Sequence, residues 1–250
     1  MVKKFLLVIF SILLAGNLAF AKISDRKFVE YVKTATPDLI VDALGNGANI
    51  NAVGKNGVTP LMAALYANNI PVINLLLDNF PDINAKDKKS NTVLMYAIEY
   101  GTDYKILEKI IKNGADLNTQ NEKTGNTALI MTALLRNNEN QKNKNILPLF
   151  AKILIKKGAD TDIENFAGKT FLGEASYYYD GYLLTYIYEG ASKADIRKQL
   201  GVPDKIIRYT DTNEEWTYVF TLKTKDKSGF ESWNLVFVME NNLVTEVKSK

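Results

Sequence analysis

The feature that most constrains this chain is a sequence pattern that recurs about every 33 residues along most of its length. Each copy begins at a threonine, and successive threonines are separated by 33, 35 and 43 residues. Apolar residues at helical spacing follow, and a turn rich in glycine, aspartate and asparagine ends the copy. Because one such unit cannot bury its apolar face alone, the pattern predicts a solenoid of stacked units. The threonines are Thr59, Thr92, Thr127 and Thr170, and the turns begin at Gly47, Pro81, Gly114 and Gly158.

The residues at the two ends of a copy favour the start and the end of helices. Thr59 is placed to cap a helix by accepting a hydrogen bond from an early backbone N–H. Pro60 suits the first helical position, where no N–H is needed. Gly47, Gly114 and Gly158 suit the left-handed conformation that ends a helix. We therefore expect helices between these markers, with aspartates and asparagines of the closing turn bonded to neighbouring backbone groups.

The best copies of the pattern resemble the ankyrin repeat. Residues 57–64 read GVTPLMAA, which is close to the family signature T-P-L-H-x-A with Met62 in the place of histidine. Residues 114–118 read GADLN, as at the end of an ankyrin repeat. The resemblance covers about residues 24–191. It implies a mainly α fold, an ankyrin-repeat solenoid of about five units whose end units are degenerate.

Three parts of the array depart from the pattern. Residues 25–53 lack the Thr-Pro start and are expected to form an N-terminal cap, with helices near 25–35 and 38–44. The fourth unit carries a polar insertion at 137–145, whose composition predicts a solvated loop. The last unit, 165–190, ends early, as a closing repeat does.

Ankyrin proteins bind partners with the hairpin tips between repeats and with exposed positions of the inner helices, which line a concave groove. The resemblance implies the same surface here. Tyrosine recurs at the inner-helix positions, so we hypothesise an aromatic stripe in the groove flanked by tip lysines. The alternative is that some rings pack against the next repeat or against the C-terminal domain. The tip positions are Lys55, Asn56, Lys88, Lys89, Glu122, Lys123 and Phe166, and the inner-helix positions are Tyr66, Glu99, Tyr100, Leu134, Leu135, Tyr177 and Tyr178.

From residue 192 the pattern changes to a short helix followed by strands. Ser192 is the expected cap of the helix, with Asp195 three residues further on. Alternating apolar residues, beginning at Trp216, predict three strands with a turn at Asn241-Asn242, and a fourth, shorter strand is expected near 206–209. Residues 192–250 therefore predict a small α+β domain with an antiparallel three- to four-stranded meander.

This segment resembles the SmpA/OmlA outer-membrane assembly lipoproteins and the related β-lactamase-inhibitor-like domains. The residues that carry the resemblance are Leu200-Gly201 with Pro203, the run 216–218, Phe237 and Val244. The resemblance implies a domain that acts by protein contact. Those lipoproteins carry an anchoring cysteine and this chain has none, which puts direct tethering to a membrane in doubt. The alternative is an unrelated small α+β cap that shields the last repeat.

The N-terminal residues 1–21 have the pattern of a secretory signal peptide. Lys3 and Lys4 precede an apolar run over 5–15, and Ala19-Phe20-Ala21 is a cleavage signature before Lys22. We therefore expect a mature chain with an ankyrin domain over 22–191 and a second domain over 192–250. The expected location is the periplasm of a Gram-negative bacterium, with the extracellular space as one alternative and an uncleaved N-terminal anchor as another.

The composition excludes many enzyme classes. The chain has no cysteine and no histidine, which removes thiol nucleophiles, the commonest general base and the commonest metal ligand. No nucleotide-binding or hydrolase motif is present, so no cofactor, no metal and no catalytic residue is predicted. The pairs Asp116/Asn118 and Asp160/Asp162 are attributed to repeat turns rather than to Ca²⁺, and acidic residues near Trp216, which could suggest a carbohydrate site, are attributed to a polar turn. Those acidic residues are Asp211, Glu214 and Glu215.

The charge and the repeats together indicate a protein partner. The net charge of +3 falls to +1 without the two lysines of the leader, which is weak support for a nucleic-acid partner or for binding to an anionic membrane. We therefore predict a non-enzymatic, exported module that binds another protein. The alternatives are an assembly factor of the bacterial envelope that acts through the C-terminal domain, and a secreted enzyme inhibitor.

Overall fold

The computed structural model describes residues 23–136, 145–178, 182–200, 202–223 and 230–249. The chain forms two compact units, which meet in the sequence between Pro81 and Asp82. Each unit is described by itself.

The first unit contains the expected N-terminal cap and one full repeat. Its helices pair in two layers, because α1 packs against α3 and α2 packs against α4. Phe28, Ile40, Leu61 and Ile73 are fully buried between them. The helices expected near 25–35 and 38–44 are thus confirmed. The elements are α1 (Asp25–Tyr31), α2 (Pro37–Gly45), a short 3-10 turn (Lys55–Gly57), α3 (Pro60–Tyr66) and α4 (Ile70–Asp78).

The second unit begins with three further helix pairs. The first helices of the pairs stack in the order α5, α7, α9, and the second helices stack in the order α6, α8, α10. This two-layered stacking is the solenoid arrangement that the repeats predict. The polar insertion falls almost entirely on residues 137–144, outside the described part of the chain. The helices are α5 (Val93–Tyr100), α6 (Tyr104–Lys112), α7 (Ala128–Arg136), α8 (Leu147–Lys156), α9 (Phe171–Tyr178) and α10 (Tyr182–Tyr188).

The predicted helix starts are confirmed in the four units that begin at a threonine. In all four, the opening threonine Oγ1 accepts a hydrogen bond from the backbone N–H three residues further on, at 3.1 to 3.4 Å. Pro60 occupies the first position of α3. Gly47, Gly114 and Gly158 have φ values of 86°, 90° and 96°, the left-handed region in which glycine is favoured.

The C-terminal segment forms the predicted helix and an antiparallel sheet of four strands in sequential order. Ser192 and Asp195 make a reciprocal capping box, with the Ser192 N–H donating to Asp195 at 3.0 Å and the Asp195 N–H donating to Ser192 Oγ at 3.2 Å. Asn241 and Asn242 form the last turn with φ values of 50° and 67°. The elements are α11 (Lys193–Leu200), β1 (Lys205–Arg208), β2 (Asn213–Lys223), β3 (Phe230–Glu240) and β4 (Leu243–Ser249).

Within the second unit, the sheet packs against the last helix of the array. The Thr185 hydroxyl in α10 donates to the Val247 carbonyl at 3.2 Å and accepts from the Val247 N–H at 3.0 Å. The ring of Tyr188, also in α10, meets Phe237 edge-on at 5.3 Å. Sheet side chains thereby cover apolar surface that a terminal repeat would otherwise expose.

Candidate protein-binding surface

The tip loops, which precede the opening threonines, are each organised in the second unit by one buried side chain. In the loop 87–91, Asp87 Oδ1 accepts the N–H groups of Lys89 at 2.8 Å and Asn91 at 2.9 Å. Asn121 and Asn165 have the same role in the next two loops. We call Asp87, Asn121 and Asn165 the anchor residues. They are 6 to 8% exposed, so their bonds to the backbone are largely shielded from water.

Neighbouring tip loops are also bonded to one another. The Asn121 amide donates to the Lys89 carbonyl and to Asn91 Oδ1, both at 2.7 Å. The Phe166 N–H donates to the Thr124 carbonyl at 3.0 Å, and the Asn165 amide donates to Asn126 Oδ1, two residues after Thr124 in the sequence, at 3.0 Å. The three tip loops of the second unit therefore form one hydrogen-bonded row with little freedom left to lose on binding.

In the turns that end the repeats, polar side chains also accept hydrogen bonds from backbone N–H groups. Asp116 Oδ1 accepts the Asn118 N–H at 2.9 Å, and Asp160 Oδ1 accepts the Asp162 N–H at 2.8 Å. Asn118 Oδ1 in turn accepts the Asp160 N–H of the following repeat at 2.9 Å. These pairs therefore act in turns, as predicted. No cluster of three or more potential metal ligands occurs among the described residues.

The predicted tip residues of the second unit are exposed, although one of them, Glu122, forms an ion pair within the protein. Lys88, Lys89 and Lys123 are exposed, and Phe166 is 68% exposed. Glu122 is exposed but pairs with a lysine of the preceding loop at 3.3 Å, and hydrogen bonds from Ser90 and from that lysine lower the Glu122 pKa. This row therefore exposes three lysines beside one apolar ring.

The predicted positions of the first unit are exposed as well. Lys55 and Asn56 lie at the tip, where Asn56 takes a φ of 60°. Tyr66 is 59% exposed, and the Lys33 ammonium lies 5.6 Å from its ring centroid. Of the two predicted inner-helix tyrosines whose side chains the structure describes, Tyr66 and Tyr100, Tyr66 is the more exposed.

The inner-helix positions of the second unit are less accessible. Glu99 and Tyr100 are half-buried, and the Tyr100 ring centroid lies 5.7 Å from that of Tyr96. Burial raises the pKa of Glu99, and the charge of Lys89 acts in the opposite direction. Leu134 and Leu135 are half-buried too. The side chains of Tyr177 and Tyr178 lie outside those the structure describes, so the aromatic stripe stays a prediction.

One structural role was missed from the sequence. Tyr96 is buried and its hydroxyl donates to Asp87 Oδ2 at 3.0 Å, and burial, with this bond, raises its pKa. Glu174 occupies the matching place in the last repeat, where its Oε1 accepts the Asn165 amide at 3.1 Å. Both residues follow their anchor residue by nine positions. In these two repeats that spacing was the available signal, whereas the matching position after Asn121 is the apolar Ile130.

Of the acidic residues near Trp216, Glu214 is buried together with the indole ring rather than exposed beside it. Glu214 and Glu215 lie in β2 rather than in the predicted polar turn. Glu214 is buried, and its oxygens bond to Lys193 at 2.5 Å, to the indole N–H of Trp216 at 2.6 Å and to Arg208 at 3.2 Å. Burial would raise the Glu214 pKa, but these three donors outweigh it and hold the pKa below its usual value.

The ring of Trp216 is 1% exposed, and the guanidinium of Arg197 lies over it at 4.7 Å. No face of the indole is left for a sugar. The prediction of a polar turn is confirmed for Asp211, which lies in the bend before β2, and was wrong for Glu214 and Glu215, which pair within the sheet. Among the described helices, none has the length and apolarity that crossing a bilayer requires.

Comparison with known proteins agrees with the repeat geometry. The chain is 30% identical over 113 residues to the ankyrin repeat and SAM domain-containing protein 6 of Rattus norvegicus, covering 45% of this chain and 12% of that protein. It is 30% identical over 129 residues to alpha-latrotoxin-Lg1a of Latrodectus geometricus, covering 51% of this chain and 9% of the toxin. A putative ankyrin repeat protein of Acanthamoeba polyphaga mimivirus is 29% identical over 117 residues, covering 43% of this chain and 72% of the viral protein. The chain thus spans about a tenth of the first two relatives.

The sequence pattern of the family described as ankyrin repeats (3 copies) matches residues 30–121 and 94–199. The matched residues include the four capped helix starts and the three anchor residues, and they cover more than half of the chain. The resemblance of residues 192–250 to the SmpA/OmlA domains stays a prediction. The chain belongs to the ankyrin-repeat family.

Proposed function

We propose that this protein binds another protein through its tip loops and the exposed positions of its inner helices. The observation that carries the proposal is the hydrogen-bonded row of tip loops in the second unit, which presents Lys88, Lys89, Lys123 and Phe166 from a fixed backbone. Ankyrin repeats are protein-interaction modules, which supports the same conclusion. No catalytic role is assigned to any residue.

The chemistry of the row indicates the kind of partner. Three exposed lysines and one exposed phenylalanine favour an acidic segment that also carries an apolar side chain. Because the loop backbone is already ordered, little conformational entropy is lost when the partner binds. A flexible loop with the same side chains would bind more weakly.

The proposal is tested by reversing the charge of two tip residues. Full-length protein is used to capture partners, and each captured protein is purified and titrated by calorimetry against the wild type and against Lys88→Glu/Lys89→Glu. We expect the affinity to fall about ten-fold or more, since two exposed charge contacts contribute about 0.5 to 1 kcal/mol each and their reversal adds repulsion. The fall should shrink as salt is added.

The matched control is Lys112→Glu/Lys157→Glu, which changes the net charge equally at the exposed ends of α6 and α8. Its affinity should stay within about two-fold of the wild type at 150 mM salt. Equal weakening by both double variants would show that only net charge matters. Unchanged affinity in the tip variant would refute the tip loops as the binding surface.

We also propose that the chain is exported and works in the periplasm. The pattern of residues 1–21 supports this, since it combines two lysines, an apolar run and a cleavage signature. Intact-mass analysis and N-terminal sequencing of the protein from fractionated cells test it. A periplasmic chain that begins at Lys22 is expected, whereas a cytoplasmic chain that begins at Met1 would contradict the proposal.

A further inference from the structure

Three asparagines of this chain are followed directly by glycine, namely Asn46, Asn56 and Asn113. In such a pair the backbone nitrogen of the glycine can attack the amide carbon of the asparagine side chain, so that ammonia is lost. Glycine favours this attack because it has no Cβ to obstruct the approach and its backbone turns freely. All three pairs lie in the described part of the chain, so the structure ranks how firmly each is held.

Asn46 and Asn113 are both fixed at the end of a helix. The Asn46 side-chain amide donates to the Asp42 carbonyl of α2 at 2.7 Å. The Asn113 side-chain amide donates to the Lys109 carbonyl of α6 at 3.1 Å. In each pair the N–H of the following glycine donates to a helix carbonyl at 3.0 Å. The amide that would leave and the nitrogen that would attack are therefore both held in these two pairs.

Asn56 is held less firmly. It is exposed in the 3-10 turn (Lys55–Gly57), and among the described residues none forms a hydrogen bond with its side chain. The Gly57 N–H donates to the Gly54 carbonyl at 3.3 Å, which is longer than the usual distance of about 2.9 to 3.0 Å. Asn56 also has a φ of 60° and a ψ of 21°, a left-handed conformation that is unfavourable for residues with a Cβ. This turn should therefore open more easily than either helix end.

We propose that Asn56 is a site of spontaneous deamidation. Once the turn opens, the Gly57 nitrogen gives up its proton and bonds to Asn56 Cγ, while the Cγ–Nδ2 bond breaks and Nδ2 leaves as ammonia. The product is a cyclic imide. Water then adds to one of its two carbonyl carbons and breaks the bond from that carbon to the Gly57 nitrogen. Addition at Cγ gives aspartate, addition at the backbone carbon gives isoaspartate, and no oxidant or reductant takes part.

The reaction changes the tip of the first unit. Either product places a carboxylate beside Lys55, so the net charge of these two residues falls from +1 to zero. Isoaspartate also carries the main chain through its side chain, which adds a methylene group to the turn. This change needs no binding partner, so it is tested on the protein alone.

Folded full-length protein is incubated at body temperature and mildly alkaline pH, which favours the deprotonated glycine nitrogen. Samples taken over several weeks are digested and mapped by mass spectrometry, where conversion of an asparagine raises the mass of its peptide by about 1 Da. The same chain in denaturing guanidinium chloride gives the rate of each pair without structure. The unfolded rate divided by the folded rate is the protection of that pair.

The protection of Asn56 should be about five-fold or more below that of Asn46 and Asn113, because those two keep a side-chain hydrogen bond that must break before the attack. Aspartate and isoaspartate should both appear at position 56. Equal protection of the three pairs, or stronger protection of Asn56, would overturn the proposal. Aspartate alone would overturn the attack by Gly57, since direct hydrolysis gives no isoaspartate.

Two variants test the assignment through the mass of the intact folded protein. In Asn56→Gln the attack would have to close a larger, less favourable ring, so the mass should rise more slowly than in the wild type. The matched control in the same unit, Asn46→Gln, should leave the rise as it is in the wild type, because Asn46 is protected. An unchanged rise in Asn56→Gln, with Asn46 and Asn113 still unmodified, would overturn the assignment to Asn56.

Discussion

Replacing Asn121 by alanine tests whether the anchor residues hold the tip loops in place. The Asn121 amide donates to the Lys89 carbonyl and to Asn91 Oδ1 at 2.7 Å, and its oxygen accepts the N–H groups of Lys123 at 2.9 Å and Thr124 at 3.2 Å. Alanine removes all four bonds. Each net bond contributes about 0.5 to 1.5 kcal/mol, and part of the loss is recovered when the freed groups reach water. We expect the free energy of unfolding to fall by about 2 to 4 kcal/mol.

Urea unfolding at 25 °C measures the fall, which corresponds to a midpoint shift of about 1 to 2 M for a slope of about 2 kcal/mol per M. Native-state hydrogen exchange shows which part of the chain loses stability. The amides of Lys123 and Thr124 should lose protection, while amides inside α6 should change only as far as global stability changes.

The matched control is Asn79→Ala, because the exposed Asn79 amide makes one bond within its own helix end, at 2.8 Å. It should cost less than about 1 kcal/mol. If Asn121→Ala also lowers the free energy of unfolding by less than about 1 kcal/mol and leaves the Lys123 amide equally protected from exchange, the anchor residues do not organise the loops.

Four further substitutions test other contacts. Gly125→Ala should lower stability by about 2 to 4 kcal/mol in urea unfolding, since its φ is 71° and a Cβ would lie 2.6 Å from the Phe166 backbone nitrogen. Gly114→Ala, with a φ of 90° but open space, should cost only about 1 kcal/mol. Tyr96→Phe should lower the free energy of unfolding by about 1 kcal/mol, measured in the same way, because it removes the hydrogen bond to the anchor residue Asp87. The Glu214 pKa is lower in the folded than in the unfolded state, so ionised Glu214 stabilises the fold above the unfolded-state pKa of about 4.3, and this contribution is lost as the pH falls through the folded-state pKa. Glu214→Gln should therefore reduce the slope of the free energy of unfolding against pH on the acid side. An unchanged slope would contradict this.

The repeat architecture was predictable because its signals are local and recur. Thr59 and Thr92 cap their helices through atoms three residues away, and Gly114 and Gly158 need only their own backbone geometry. Signals of this kind depend on neighbours in the sequence, which are known before the fold is. Four copies in phase then make chance agreement improbable.

The support beneath the tip loops was not predictable in the same way. The exposure of Lys88 and Lys123 followed from their position at a tip. The bond from Asn121 to the Lys89 carbonyl joins residues 32 apart, and it requires two repeats to be stacked before it exists. The same holds for Glu214, whose charge suggested a turn in the sequence. In the structure, α11 and β1 each bring one cation to its carboxylate, Lys193 and Arg208.

Because the anchor residues are linked in a row, substituting one of them should affect the neighbouring tip loops as well as its own. Each anchor bonds within its own loop, and the anchors at Asn121 and Asn165 also bond to the loop before them. Stability in a stacked array is carried by such nearest-neighbour contacts. Damage at Asn121 should therefore loosen its own loop and the loop of Lys89, while the loop of Phe166 keeps its anchor. The binding surface is built from linked local units, so the effect of a substitution on recognition should decline with the number of repeats that separate it from the partner's contact.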